Sequence, residues 1–80
     1  MFENSKILIT GGTGSLGQAL TKRLLEMNVN TIRIFSRNEN NQIEMESEFD
    51  DGRLRFLLGD IRDKDRLIRA TEDIDYVFHA

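Results

Sequence analysis

Gly11, Gly12, Gly14 and Gly17 crowd one short stretch of an 80-residue chain, between the apolar run Lys6 to Thr10 and a helical rhythm that begins at Ser15. Residues of these types in this order suit one chemistry, the holding of a phosphate. A residue without Cβ takes positive φ and lets the backbone approach a ligand closely. The free N–H groups at a helix start, here around Ser15 and Leu16, point at an anion, and the helix dipole adds to the attraction.

The spacing narrows the ligand. Gly12-Thr13-Gly14-Ser15-Leu16-Gly17 satisfies the dinucleotide pattern G-x-G-x-x-G, and it has the strand before it and the helix after it that the pattern needs. In this reading Gly14 lets a pyrophosphate sit against the first helical turn, and Gly17 keeps that helix tight against the strand. A triphosphate P-loop is excluded. It needs Lys then Ser or Thr after its last glycine, and here Gln18 and Ala19 follow.

Two further places lie where such a sheet would carry ligand contacts. Ser36-Arg37-Asn38-Glu39 follows the second strand, about 20 residues past the glycines, where an NAD-specific site puts a carboxylate on the ribose 2′-hydroxyl. No carboxylate ends that strand. Arg37 offers a planar fork of donors that suits a 2′-phosphate, and Ser36 adds a hydroxyl. This favours NADP(H), with NAD(H) as the alternative and a solvated surface arginine as the plainer reading of Arg37. Gly59-Asp60-Ile61-Arg62-Asp63 follows the third strand. Asp60 suits the adenine amino group, with Ile61 along the ring face, or else simply stabilises a turn; Asp63 suits the cap of the next helix.

The elements that must position these residues read as β-α-β-α-β-α-β. Strands are expected over Lys6–Thr10, Thr31–Ser36, 53–58 and 74–80, with helices over 15–27, 38–49 and 64–71. Leu16, Ala19, Leu20 and Leu24 read as the inward side of the first helix. Ile43, Met45 and Phe49 are the apolar members of the second, closed by Gly52, and Leu67, Ile68 and Ala70 are those of the third. Arg33 interrupts the second strand, which an edge or partly covered position would explain. Right-handed crossovers give an α/β fold with parallel strand order 3-2-1-4, a partial Rossmann sheet. The fourth strand then has nothing on its far side, an edge liability that marks residues 1–80 as the amino-terminal part of a larger NAD(P)-binding domain.

Composition excludes several classes. The 11 basic and 14 acidic residues give a net charge of −3, without the broad basic face that nucleic acid demands. There is no cysteine for thiol chemistry, and the acidic run Glu44 to Asp51 reads as a wet helix face with no metal role. No apolar stretch approaches the ~18 residues of a membrane span, and no signal-peptide pattern is present, which points to the cytoplasm.

The motifs together resemble the extended short-chain dehydrogenase/reductase family, in particular its nucleotide-sugar 4,6-dehydratase and epimerase branch from polysaccharide and capsule biosynthesis. Ile9 to Gly17 and Gly59 to Asp63 carry the superfamily likeness. Ile34-Phe35-Ser36-Arg37-Asn38-Glu39 and Asp75-Tyr76-Val77-Phe78-His79-Ala80 look like the UDP-N-acetylglucosamine 4,6-dehydratase group. The resemblance implies that Gly11, Gly14 and Gly17 hold the pyrophosphate with Thr13, Ser15 and Leu16 beside them. It implies Ser36 and Arg37 at the 2′-phosphate, Asp60 and Ile61 at adenine, and His79 and Ala80 beside the nicotinamide-side ribose. The group commonly reads Arg-Asp-Glu and then a basic stretch, where this chain has Arg37-Asn38-Glu39-Asn40-Asn41.

The family's reaction moves hydride from C4 of a nucleotide sugar and back at C6, after the 4-keto group has acidified the C5 proton. It needs a Tyr and a Lys four apart, and Tyr76 is followed four places on by Ala80. The resemblance therefore implies cofactor binding in these residues and catalysis elsewhere, in a protein expected to be a homo-oligomer. Two other readings share the scaffold: a non-catalytic dinucleotide sensor, and an inactive remnant of a truncated gene.

Overall fold

A computed structural model describes residues 1–80. Its elements are β1 (Lys6–Thr10), α1 (Ser15–Leu25), β2 (Thr31–Ser36), α2 (Glu39–Phe49), β3 (Leu54–Leu58), α3 (Lys64–Ala70) and β4 (Tyr76–His79). The four strands form one parallel sheet in the order β3-β2-β1-β4. This is the α/β, partial Rossmann architecture expected from the short connections and the right-handed crossover.

Alternation along the strands divides the core in two. Ile7, Ile9, Ile32 and Ile34 face one side, where they meet Leu24 of α1, Met45 of α2, and Val29 and Leu54. Leu8 and Phe35 face the other side and meet Ala70 of α3, with Leu57, Leu67 and Ile74 around them. Burial on both faces explains why β1 and β2 read as nearly continuous apolar runs.

Each helix turns only part of its apolar set inward: Leu20 and Leu24, Met45 and Phe49, and Leu67 and Ala70 pack on the core. In α1 the buried positions are Gly17, Thr21 and Leu24, while Leu16 is 61% exposed and Ala19 also faces out. In α2 Gln42 and Met45 are buried and Ile43 is exposed. In α3 Ala70 is buried and Leu67 half-buried, whereas Ile68 faces solvent. The physical reason in α1 is a close glycine contact, described below, that sets the helix phase. In α2 a polar side chain with buried partners occupies the inward place.

Caps and termini follow from side-chain reach. Asn38 accepts from the Asn41 N–H at 3.0 Å and Asp63 from the Arg66 N–H at 3.3 Å, so each starts its helix as a short polar side chain does. The left-handed residue that ends α2 is Asp50, at φ 45, and not Gly52. Arg33 lies in an interior strand. Its guanidinium crosses the sheet face to the end of α3 and donates to the carbonyls of Ala70 at 2.7 Å and Glu72 at 3.0 Å. No helix is long and apolar enough to cross a membrane.

Candidate functional site

Of the four glycines in the turn after β1, three have clearly different reasons. Gly11 takes φ 69, and a Cβ there would lie 2.6 Å from the Ala80 carbonyl oxygen. That close approach exists because the ladder continues past the strands: the Gly11 N–H donates to Phe35 O at 2.8 Å and the Ala80 N–H to Thr10 O at 2.9 Å. Gly17 is required by contact. A Cβ would meet Gly12 Cα and O at 2.5 Å, so at this position the helix packs on the turn, where the sequence had suggested the strand.

Gly14 is different. A Cβ there would meet only the Gly11 oxygen, at 3.6 Å, an ordinary contact. The fold does not need glycine at this place; space outside the turn is what it preserves. Gly14 is also the N-cap of α1 and supplies no side-chain cap. The first intrahelical bond is Gln18 N–H to Gly14 O at 2.9 Å, which leaves the N–H groups of Ser15, Leu16 and Gly17 ahead of it without an i−4 acceptor. The Gln18 side chain folds back to donate to Thr13 O at 2.8 Å and fixes the loop.

A cleft of about 570 Å³ opens at the carboxyl ends of the strands. It is lined by Gly11 and Thr13 of the glycine turn, Ser36 and Arg37 at the end of β2, Asp60 and Ile61 after β3, and His79 and Ala80 at the end of β4. Gly14, Ser15, Leu16 and Gly17 do not line it. Asn38, Asn41 and Arg62 do, and sequence reasoning had not placed them in the site. For Arg62 the signal was present in its spacing, two residues after an aspartate, the reach of an Asx turn.

Asp60 is held by its neighbours. Its Oδ1 accepts the Arg62 N–H at 2.9 Å and its Oδ2 the Arg62 Nη2 at 2.7 Å, and Arg37 Nη1 stands 3.7 Å from the same Oδ2. The Arg62 hydrogen bonds, and then the charges of Arg62 and Arg37, hold this carboxyl well below the usual carboxylate range. Asp60 thus does stabilise a turn, while still facing the cleft. From α3, Arg66 grips the Leu58 carbonyl through Nε at 3.1 Å and through Nη2, which anchors the loop that carries Asp60.

Two more side chains that line the cleft, Ser36 and His79, are paired inside the protein. Ser36 is nearly buried, and its Oγ lies 2.9 Å from Gln42 Nε2, which also meets the Leu57 carbonyl at 3.1 Å. His79 Nδ1 lies 2.5 Å from Thr10 Oγ1 across the β1–β4 pair. That contact gives His79 a strand-end role and fixes its ring beside the cleft.

Residues 7–80 match the family described as polysaccharide biosynthesis protein. The chain belongs to that family. It is 52% identical, over its whole length, to a UDP-N-acetylglucosamine 4,6-dehydratase (inverting) of Campylobacter jejuni, and covers 24% of that protein. It is 48% identical over 99% of its length to an uncharacterized membrane protein of Methanocaldococcus jannaschii, again covering 24% of the relative. Among solved structures, Pen from Bacillus thuringiensis superposes with a TM-score of 0.96 at 44% identity, covering all of this chain and 25% of its own. The enzyme WbmF of Bordetella bronchiseptica, solved in complex with NAD+, superposes with a TM-score of 0.76 at 30% identity, over 99% of this chain and 23% of its own. The family member described here therefore spans about a quarter of the length of its relatives. Its short-chain dehydrogenase/reductase motifs stand on the fold those neighbours share.

Proposed function

We propose that this chain is the dinucleotide-binding part of an NAD(P)-dependent nucleotide-sugar dehydratase or epimerase, of the UDP-N-acetylhexosamine type, serving polysaccharide biosynthesis in the cytoplasm. Residues 1–80 are then the amino-terminal part of the cofactor domain of a longer protein. The observation that carries the reading is the glycine turn: an open place at Gly14 and an uncapped helix start, beside a cleft that runs to Arg37 and Asp60. The name of the Campylobacter relative supplies the substrate class.

The residues present fit such a cofactor. The N–H groups of Ser15 and Leu16 donate to the pyrophosphate, and Gly14 keeps the space it fills. Asp60 and Ile61 take the adenine end, and His79 and Ala80 border the far ribose. The ionised side chains lining the cleft are two arginines, Arg37 and Arg62, against one carboxylate, Asp60, which leaves a positive excess for an anionic ligand. A bound nicotinamide would supply a reversible hydride acceptor for the sugar. Holding and orienting that ring is this chain's contribution.

Arg37 decides between the two cofactors in this reading. Its side chain is 73% exposed and approaches Asp60 only to 3.7 Å, so it is free to turn from Asp60 onto a 2′-phosphate. Titrating the protein with NADPH and with NADH, by cofactor fluorescence, tests the proposal. Arg37→Met is expected to weaken NADPH by about tenfold or more and to leave NADH within about twofold, as loss of a charge-assisted bond to phosphate requires. Failure of the unaltered protein to bind either nucleotide refutes the function. Equal losses for both nucleotides refute the role of Arg37.

A further inference from the structure

We infer that Gln42 is a positioning residue for cofactor choice: it turns the Ser36 hydroxyl into a donor aimed at the cleft. This rests on the dinucleotide reading above and deepens it. Ser36 and Gln42 are both nearly buried, at 7% and 6% exposure, so their hydrogen bonds are not shared with bulk water. Ser36 also lines the cleft, as Arg37 does.

The polarity of the pair follows from which groups can donate. The Leu57 carbonyl can only accept, so the Gln42 atom 3.1 Å from it must be the amide nitrogen. That same nitrogen lies 2.9 Å from Ser36 Oγ. An amide nitrogen has two hydrogens and no lone pair to offer, so one hydrogen goes to Leu57 and the other to Ser36. Ser36 Oγ is therefore an acceptor inside the protein, and its own hydrogen must point elsewhere. No other protein acceptor takes it. The direction left is the cleft it lines.

A fixed donor at that place discriminates between ligands. A ribose 2′-phosphate brings oxygens that only accept, which match a hydroxyl donor beside the Arg37 guanidinium. A free ribose 2′-hydroxyl offers that donor one neutral oxygen in place of three charged ones, so it gains much less from the Ser36 hydrogen and from Arg37. The arrangement thus favours the phosphorylated cofactor at a position Arg37 alone does not control. Gln42 is the inward residue of α2 where the apolar pattern had suggested Ile43, so a buried amide sits where packing alone would place an aliphatic side chain.

The test is a double-mutant cycle read as NADPH and NADH dissociation constants of the protein. Ser36→Ala and Gln42→Met are each expected to weaken NADPH by roughly tenfold to a hundredfold, with NADH nearly unchanged. The double variant is expected to be no worse than Ser36→Ala alone, because Gln42→Met acts only by freeing to rotate the hydroxyl that Ser36→Ala removes. Gln42→Glu provides a second route should the methionine variant fail to fold. Its carboxylate can only accept, so it draws the Ser36 hydrogen away from the cleft, and Ser36→Ala in that background is expected to cost NADPH nothing more. Penalties that add, or that fall equally on NADH and NADPH, overturn the inference while leaving cofactor binding intact. An unaltered protein that binds neither nucleotide overturns both this inference and the function it rests on.

Discussion

Replacing Gly17 with alanine puts a methyl group 2.5 Å from the Cα and O of Gly12. Carbon atoms in contact sit ~3.5–4.0 Å apart, so α1 must lift by about 1 Å or the turn must give. The opposing atoms are backbone, which cannot rotate aside, and this places the strain near the upper end of the ~1–3 kcal/mol typical of overpacking. Alanine returns about 1 kcal/mol through its better helix propensity. The net expected loss is about 2 kcal/mol, or ~8–16 °C in Tm for a cooperative unit of this size. Gly14→Ala is the paired control. Its methyl group meets nothing closer than 3.6 Å, so stability should stay within about 1 kcal/mol of the unaltered protein while dinucleotide affinity falls. Thermal and urea unfolding followed by circular dichroism read the first quantity, and cofactor fluorescence the second. A Gly17→Ala protein within about 0.5 kcal/mol of the original, or a Gly14→Ala protein equally destabilised, refutes the assignment of contact to one glycine and ligand space to the other.

Two further outcomes follow from side chains outside the cleft. Arg53 joins the start of β3 to α1 by donating to Leu25 O at 2.9 Å, and its hydrogen bonds hold the Asp51 carboxyl below its ordinary value of 3.8. A depressed carboxyl stabilises the fold above its unfolded pKa, and that contribution is lost as pH falls through the folded one. Asp51→Asn should therefore be less stable than the original protein at pH 7, with the gap closing below about pH 4 in urea titrations. Arg33→Met leaves the carbonyls of Ala70 and Glu72 without their donor, at a cost of about 1–3 kcal/mol, and hydrogen exchange should quicken at the end of α3 before the rest of the sheet.

The strand–turn–helix at Lys6 to Leu25 was legible because its signals are local: a short apolar run, glycines at fixed offsets, then a helical period. Strand order followed from crossover handedness and short connections, neither of which depends on detailed packing. The helix faces were less legible. Leu16, Ile43 and Ile68 are apolar and exposed, while Thr21 and Gln42 are polar and buried, because glycine contact and buried hydrogen bonds set the helix rotations. Arg37 and Asp60 were placed on the cleft by their positions after β2 and β3. Their 3.7 Å approach, and the clamp of Arg62 on Asp60, depend on how two loops meet in space and on the reach of flexible side chains. No spacing in the sequence encodes that meeting, although Asp60 and Arg62 two apart hint at the turn.

The most direct test of the central claim is a crystal structure of the protein grown with NADP+. The pyrophosphate is expected on the N–H groups of Ser15 and Leu16 over Gly14, the adenine beside Asp60 and Ile61, and the 2′-phosphate between Ser36 and Arg37. A nucleotide bound away from the glycine turn, or a 2′-phosphate pointing into solvent with Arg37 still on Asp60, would contradict the claim.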